Sequence, residues 1–291
     1  MTNKDACMDS LSIVDTPLLE VEPGLFAKLE MCQKTGSVKD RFVFLAVKQA
    51  IIDGEIGPNT TLVEATSGNT GISLSAAGAM CGLRVKIIMP TNMSEERRVM
   101  MRRFGATIID APPSDFKGAI EMRNEIVQSV PDHWSPYQFE NDFNTFVHAS
   151  VTAPEISKDM KKRGHYAWDF VSGAGTGGTL MGVKQWMTNQ ASWHGSCIQV
   201  APKESAKDHG IQGINDGADF LLDVSQMSSR VLVATQEAID AATAFAATHG
   251  LLIGISAGAN LVAARKIIKK NSQRPVVTLL CDRGERYFSM S

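Results

Sequence analysis

The composition of this 291-residue chain is that of an ordinary globular protein. Hydrophobic residues make up 44% and charged residues 21%, and 29 Lys and Arg nearly balance 31 Asp and Glu, for a net charge of -2. This balance provides no electrostatic basis for binding nucleic acid or an anionic membrane surface. No apolar run reaches the roughly 18 residues of a transmembrane helix, and the first residues lack a basic-then-apolar signal pattern. We therefore expect neither a nucleic-acid partner nor a membrane partner.

The cysteines form no recognisable framework. There are five, at positions 7, 32, 81, 197 and 281, and none are spaced C-x-x-C. An odd, scattered set is typical of neither a disulfide scaffold nor a zinc site. We expect free thiols in a reducing cytoplasm and no metal site.

Short β-branched runs alternate with segments of helical periodicity along most of the chain. An amphipathic helix is predicted to begin at Lys39 and run to Gly54, and Ser94 is the expected N-cap of a later helix. The strands are predicted at 62–65, 85–89, 107–109, 169–171, 198–200, 231–233 and 276–280. Further helices are predicted at 69–80, 94–104 and 179–187, before Gly250, and at 257–269. Strands separated by helices of this length predict an α/β fold with right-handed crossovers and mostly parallel sheets.

Ligands of such sheets bind at the C-terminal ends of the strands. Three junctions between a strand and a helix are rich in glycine or hydroxyl groups, at 66–71, 172–179 and 254–258. The segment 175–179 offers backbone N–H groups just before a helix, which suits a phosphate; the alternative is a tight packing turn. A dinucleotide site is disfavoured because the next strand ends at Ala201, where an acidic residue would be needed for the ribose.

Two further features indicate amino-acid chemistry. The loop 66–71 combines hydroxyls, an amide and open N–H groups, which suits a carboxylate, although a simple helix cap would look similar. Lys39 lies at the start of a helix, where the positive end of the dipole disfavours the ammonium ion and helps the amine to react with an aldehyde. Such a lysine can also be merely solvated. Together, however, a reactive lysine, a phosphate loop and a carboxylate loop indicate a pyridoxal-phosphate enzyme that acts on an amino acid.

At these residues the chain resembles the fold type II pyridoxal-phosphate enzymes, and within them the cysteine synthase (O-acetylserine sulfhydrylase) family. The motifs that carry the resemblance occur in order over nearly the whole length. They include Gly36-Ser37-Val38-Lys39-Asp40-Arg41, Glu64-Ala65-Thr66-Ser67-Gly68-Asn69-Thr70-Gly71, Gly175-Thr176-Gly177-Gly178-Thr179 and Cys281-Asp282-Arg283-Gly284-Glu285-Arg286-Tyr287. The last motif, with Met93-Ser94-x-Glu96-Arg97-Arg98, is most similar to the B isozyme.

The resemblance implies a fold like that of the tryptophan synthase β subunit, with two domains that each contain a mostly parallel twisted sheet flanked by helices. The N-terminal domain is expected at 1–143, with Lys39 and the carboxylate loop, although the chain up to around position 30 could cross to the other domain. The C-terminal domain is expected at 144–291, with the phosphate loop and Ser256.

The resemblance also implies residue roles. Lys39 holds pyridoxal 5'-phosphate and moves the substrate α-proton, Asn69 binds the 3′-oxygen, and Ser256 faces the pyridine nitrogen. The substrate carboxylate is held by Thr66, Ser67, Thr70 and Gln138, and the phosphate by Gly175, Thr176, Gly177, Gly178 and Thr179. Because a serine leaves the ring nitrogen largely unprotonated, the ring is a weaker electron sink and loss of a β-substituent is favoured.

The implied reaction is β-replacement, which makes L-cysteine from O-acetyl-L-serine and sulfide through an α-aminoacrylate intermediate. Three substrate alternatives stay open: O-phosphoserine as donor, thiosulfate as acceptor, or serine with homocysteine. A catalytically silent regulatory homologue is the non-enzyme alternative. The family further implies a cytoplasmic homodimer and a serine acetyltransferase as a partner.

Several positions depart from the family pattern or allow two interpretations. Lys34 places an extra cation near the expected active-site mouth, and the pair Asn215-Asp216 replaces glycines in a loop that helps to choose the substrate. Cys281 is interpreted as a buried strand-end residue rather than a substrate contact, and His148 as structural. The pairs Arg97-Arg98 and Arg102-Arg103 are interpreted as a solvated helix face.

Overall fold

The computed structural model describes residues 4–191, 193–205, 208–214, 218–270 and 273–290. The substitutions at Asn215 and Asp216 therefore lie outside the described residues. The chain divides into two compact units. The first contains the described residues up to Val14, Gln33–Gln138 and the segment from Arg286 onward, and the second contains Asp15–Cys32 and Phe139–Glu285.

The regular elements alternate along most of the chain. The strands are β1 (Leu18–Glu22), β2 (Leu25–Lys28), β3 (Thr61–Ala65), β4 (Arg84–Pro90), β5 (Thr107–Ala111), β6 (His133–Trp134), β7 (Asp169–Gly173), β8 (Cys197–Pro202), β9 (Ser229–Val233) and β10 (Val276–Leu279). The α-helices are α1 (Lys4–Ser10), α2 (Lys39–Ile52), α3 (Asn69–Cys81), α4 (Glu95–Arg103), α5 (Phe116–Ser129), α6 (Phe143–Val147), α7 (Ala153–Lys162), α8 (Gly178–Thr188), α9 (Thr235–His249) and α10 (Ile255–Lys270). A π-helical turn covers His148–Thr152, and short 3-10 helices cover Glu30–Cys32, Val224–Gln226 and Gly284–Met290.

The first unit is built on a parallel sheet with the strand order β5-β4-β3-β6. Every residue of β3 is buried, as expected for an inner strand of a parallel sheet covered on both faces. Val63, Ala65 and Ile88 from the sheet pack with Ala119 of α5. The two inner strands β3 and β4 therefore hold the start of α3 rigidly at the C-terminal end of β3.

The second unit contains a sheet with the strand order β1-β2-β10-β7-β8-β9. Only the β1–β2 pair is antiparallel, and the other pairs are parallel. A hydrophobic cluster that includes Trp168, Phe170, Leu180 and Val277 packs between this sheet and its helices. Burial of such side chains contributes about 1.5–3 kcal/mol each, so this core fixes the loop between β7 and α8.

The predicted fold class is confirmed, and each predicted strand and helix has an observed counterpart. The observed units differ from the expected division after residue 143. Because β2 pairs with β10, residues 15–32 complete the second sheet, and the segment from Arg286 onward packs in the first unit. Ser94 precedes α4, but its side chain makes no capping hydrogen bond.

The expectation of free cysteines is wrong at two positions. Cys7 and Cys81 form a disulfide across 74 positions, while Cys32, Cys197 and Cys281 take part in no disulfide among the described residues. The bond joins α1 to the last residue of α3. Its two partners are brought together only when α1 packs on α3, so their spacing along the chain gave no signal.

None of the described helices is long and apolar enough to cross a membrane. Over the same described ranges, His, Cys, Asp and Glu side chains form no group that could hold a metal ion.

Candidate active site

Lys39 is the first residue of α2 and its side chain is half-buried. The adjacent Asp40 is wholly buried and accepts hydrogen bonds from the backbone N–H of Thr35 at 2.6 Å and from the hydroxyls of Thr35 and Ser73. Burial raises the pKa of Asp40, and the hydrogen bonds from Ser73 and Thr35 oppose that shift. The first turn of α2 is therefore anchored beside the lysine.

Ser37 lies two residues before Lys39 and is also wholly buried. Within the described part of the chain its hydroxyl has no hydrogen-bond partner. A buried hydroxyl without a partner costs roughly 1–3 kcal/mol, so this group is suited to a ligand or water that completes the site.

The predicted carboxylate loop joins β3 to α3. Thr66 and Thr70 are buried and Ser67 is half-buried. The Thr70 hydroxyl donates to Oε1 of Gln138 at 2.6 Å, and Nε2 of Gln138 donates to the carbonyl oxygen of Ala65 at 2.7 Å. The structure thus brings Gln138 to the loop that the sequence analysis grouped with it.

A buried ion pair behind this loop was missed by the sequence analysis. Glu64 and Arg123 are both fully buried, with 3.0 Å between Oε1 and Nη1. The second carboxylate oxygen of Glu64 accepts the backbone N–H of Gln138 at 3.0 Å, and the guanidinium of Arg123 lies 4.4 Å from the ring centroid of Tyr137. Glu64 belongs to a motif already noted, but Arg123 lies in α5, a helix that was not predicted.

The interpretation of Arg97 and Arg98 as solvated is wrong. Both are buried. Arg97 donates to the backbone oxygen of Ser67 at 3.3 Å and its guanidinium lies 4.4 Å from the Tyr287 ring centroid, while Arg98 pairs with Asp110 at 2.6 Å. Two adjacent charged residues in a helix are normally exposed, but α4 turns these two towards the sheet and the loop.

The predicted phosphate loop joins β7 to α8. A β-carbon at Gly175 would lie 2.5 Å from the backbone oxygen of Gly213. Gly177 has φ +92°, and a β-carbon there would lie 2.5 Å from the backbone nitrogen of Leu222. Only glycine fits both positions, which leaves backbone N–H groups accessible at the start of an eleven-residue helix.

Two hydroxyls of this loop are oriented by side chains behind it. Nδ2 of Asn144 donates to the Thr176 hydroxyl oxygen at 3.0 Å, which leaves the Thr176 O–H available to donate elsewhere. Nε2 of His148 lies 3.1 Å from the Thr179 hydroxyl, and its Nδ1 lies 2.9 Å from that of Thr152. His148 is buried, and it is structural in the specific sense that it supports the phosphate loop.

Ser256 is buried in the first turn of α10. One turn later, Oδ1 of Asn260 accepts the backbone N–H of Gly173 at 2.8 Å, and its Nδ2 donates to the backbone oxygen of Leu279 at 3.0 Å. Asn260 therefore joins α10 to the ends of β7 and β10. The same Nδ2 lies 3.4 Å from Sγ of the half-buried Cys281.

These residues fit pyridoxal phosphate. The loop 175–179 contains no acidic side chain and has no room for a β-carbon at Gly175 or Gly177, which suits a phosphate. Ser256 supplies a buried neutral hydroxyl for a ring nitrogen, and Lys39 supplies a primary amine for an aldehyde.

Comparison with known proteins defines the class. Residues 10–282 match the family described as pyridoxal-phosphate dependent enzyme, and the chain belongs to that family. The protein is therefore a pyridoxal-phosphate-dependent enzyme. It is similar to cysteine synthase B of Campylobacter jejuni, with 38% identity over 291 residues and 95% of each chain covered.

Solved structures show the same relationship. A hydrogen sulfide-producing enzyme of Fusobacterium nucleatum, in complex with an α-aminoacrylate intermediate, superposes with a TM-score of 0.91 at 35% identity, over 97% of this chain and 91% of that chain. An O-acetylserine-dependent cystathionine β-synthase of Helicobacter pylori superposes with a TM-score of 0.86 at 29% identity, over 100% of this chain and 99% of that chain.

Proposed function

We propose that this protein is a cysteine synthase that makes L-cysteine from O-acetyl-L-serine and sulfide by β-replacement. The main support for the proposal is the sequence similarity to cysteine synthase B over nearly the full length of the chain. The local geometry supports it, because a loop of hydroxyls backed by Gln138 suits the carboxylate of a small amino acid.

Each predicted site residue has a proposed role. Pyridoxal phosphate, when bound, supplies an electron sink that stabilises negative charge at the substrate α-carbon. Lys39 would hold its aldehyde carbon, Asn69 its 3′-oxygen, residues 175–179 its phosphate and Ser256 its ring nitrogen. The neutral hydroxyl of Ser256 leaves that nitrogen largely unprotonated, which favours departure of a β-substituent over a long-lived carbanion.

The substrate is oriented by residues of the first unit. Thr66, Ser67, Thr70 and Gln138 hold the carboxylate, so that the α-hydrogen faces the amine of Lys39. Once the substrate amine has taken its place on the cofactor, the amine of Lys39 would remove the α-proton as acetate leaves from the β-carbon. Sulfide would then add to the β-carbon, and Lys39 would return the proton to the α-carbon. Holding the carboxylate through several oriented donors restricts the reacting geometry, and such restriction is a large source of rate acceleration.

A phosphorylated donor has less support than the sequence suggested. Nζ of the exposed Lys34 donates to the backbone oxygen of Ser10 at 2.6 Å and to the Ser12 hydroxyl at 2.9 Å. Because this cation already binds the end of α1 and the residues that follow it, it is a weak reason to expect O-phosphoserine. Homocysteine as acceptor is the second candidate, since the Helicobacter pylori relative is named an O-acetylserine-dependent cystathionine β-synthase.

The experiment is a substrate matrix with the purified holoenzyme. O-acetylserine and O-phosphoserine are paired in turn with sulfide, thiosulfate and homocysteine, and the products are quantified by mass spectrometry. The proposal predicts the highest kcat/KM for O-acetylserine with sulfide, and no product with Lys39→Ala. A higher value for homocysteine would support the second candidate, and cofactor binding without turnover of any pair would support a regulatory homologue.

Assembly and location remain proposals. A homodimer and a serine acetyltransferase partner are expected from the family alone. The cytoplasmic location stays a prediction. Free thiols were one reason to expect a reducing compartment, and the disulfide between Cys7 and Cys81 weakens that reason.

A further inference from the structure

Arg286 connects the C-terminal segment to the start of α3. It belongs to the first unit and is only 2% exposed. Its Nη1 donates to the side-chain oxygen Oδ1 of Asn69, and its Nη2 donates to the backbone oxygen of Thr35. One guanidinium therefore contacts both the residue proposed to bind the cofactor 3′-oxygen and the turn that precedes α2.

Thr35 also contacts the residue that follows the lysine. Its backbone N–H and its hydroxyl both donate to the carboxylate of Asp40, the residue after Lys39. Ser73, one turn into α3, donates to the same carboxylate. The buried network thus links the first turns of α2 and α3, which hold Lys39 and Asn69.

The hydrogen bond from Arg286 determines which end of the Asn69 carboxamide faces the guanidinium. A carboxamide has an acceptor end and a donor end, and Arg can only donate. With Oδ1 turned to Arg286, the Nδ2 end is the one that can donate to an anionic oxygen. The reverse orientation would place Nδ2 against a guanidinium, donor against donor.

We propose that Arg286 is a positioning residue that holds the Asn69 carboxamide with its donor end towards the 3′-oxygen of the bound cofactor. This inference rests on the proposed function, which assigns Asn69 to that oxygen. The planar two-pronged guanidinium suits the role, since Lys cannot make two such bonds in a fixed geometry. A hydrogen bond to the 3′-oxygen favours its anionic form, which absorbs at longer wavelength than the protonated form.

The segment that contains Arg286 is fixed at two other points. Tyr287 lies against Arg97 at 4.4 Å, and Ser289 donates from its backbone nitrogen and its hydroxyl to Glu96 at 2.7 and 2.6 Å. Both partners belong to α4. Arg286 is therefore held in place independently of Asn69, as a positioning residue must be.

The test uses the absorption spectrum and affinity of bound pyridoxal phosphate rather than turnover. Arg286→Gln is expected to weaken cofactor affinity about tenfold and to move absorbance from the long-wavelength to the short-wavelength band, and Arg286→Lys to restore part of both. In the Asn69→Ala background, Arg286→Gln is expected to change the spectrum and affinity less than it does in the parent, because only the contact with Thr35 is then left to lose. Arg283→Gln is the matched control, because that exposed arginine lies three residues earlier in the chain and its side chain donates to the backbone oxygen of Met31.

The outcomes separate this inference from the proposed function. A parent protein that does not bind the cofactor overturns both. A parent that binds it, with Arg286→Gln unchanged in spectrum and affinity, overturns the positioning role alone. Full additivity of the Asn69 and Arg286 effects also overturns it. If Arg286→Gln does not fold, Arg286→Lys decides, and a spectrum and a cofactor affinity equal to those of the parent then overturn the proposal.

Discussion

The hydroxyl of Thr70 donates to the side-chain oxygen of Gln138 at 2.6 Å, although 68 positions separate the two residues in the chain. Gln138 is fixed at two further points, by Ala65 and by Glu64. The contact therefore gives the carboxylate loop a rigid, hydrogen-bonded wall.

The first prediction concerns this contact. Thr70→Val keeps the shape of the side chain and removes its hydroxyl, which leaves Gln138 Oε1 without that donor. The Gln138 side chain is then less firmly held, and the contact of its amide with the substrate carboxylate is lost or weakened. A hydrogen bond to a charged group contributes about 1.5–3 kcal/mol, so kcat/KM for O-acetylserine should fall roughly 10- to 150-fold. The cofactor spectrum should stay unchanged.

Ser75→Ala is the control, because that buried hydroxyl lies in the same helix and donates to the backbone oxygen of Gly71. Steady-state kinetics compare kcat/KM for O-acetylserine in the two variants. An equal loss in the two variants would show that α3 is merely destabilised.

The second prediction concerns the phosphate loop. Gly177→Ala places a β-carbon against Leu222 at a positive φ, and such backbone strain costs about 1–3 kcal/mol. Cofactor affinity should fall about tenfold or more, as measured by equilibrium titration of the apo-protein. Gly164→Ala is matched in φ, at +83°, but has open space around it. It should cost stability without changing cofactor affinity, and equal affinities in both variants would contradict the assignment.

The parts of the site that the sequence predicted are those with local signatures. The glycines of 175–179 and the hydroxyls of 66–71 lie at strand-to-helix junctions, and the topology of parallel sheets determines where such junctions lie. The partners behind them carry no local signal. Arg123 reaches Glu64, Asn144 reaches Thr176 and Arg286 reaches Asn69 only after distant elements pack together.

The same limit explains the errors in the predicted fold. β6 has only two residues and β2 pairs with the distant β10, so neither strand has a periodicity that predicts it. The crossing of the first residues to the other unit, which the resemblance allowed, is seen for residues 15–32. Arg97 looked solvated because charge alone suggested exposure. The disulfide was missed for a similar reason, since only the packing of α1 on α3 brings Cys7 to Cys81.

The third prediction concerns the cysteines. The unfolded, unreduced protein should show three reactive thiols, and the unfolded, reduced protein all five. In the native protein the exposed Cys32 should react fastest, whereas burial raises the pKa of Cys197 to about 12 and should keep it inert. Timed alkylation with mass spectrometry checks each site. Five reactive thiols before reduction would contradict the disulfide. Cys7→Ser should also lower the free energy of unfolding by about 2–4 kcal/mol.

The fourth prediction concerns pH. The hydrogen bond from Ser289 lowers the pKa of Glu96 below its ordinary value. A depressed pKa in the folded state means that the interaction stabilises the protein above the ordinary pKa and is lost as the pH falls through the lowered value. Ser289→Ala should therefore raise the pKa of Glu96, as measured by NMR titration of its carboxyl carbon. Glu237, whose low pKa depends on Ala234 and Lys266, should not change. An unaltered Glu96 titration would contradict the contact.

The amine of Lys39 is expected to hold the cofactor covalently, and this bond can be detected chemically. The holoenzyme is treated with borohydride, which reduces a carbon–nitrogen double bond to a stable amine, and is then digested and sequenced by mass spectrometry. We expect a pyridoxyl-phosphate group on the peptide that contains Lys39, and no such group in Lys39→Ala. Attachment at another lysine, or none despite a bound cofactor, would contradict it.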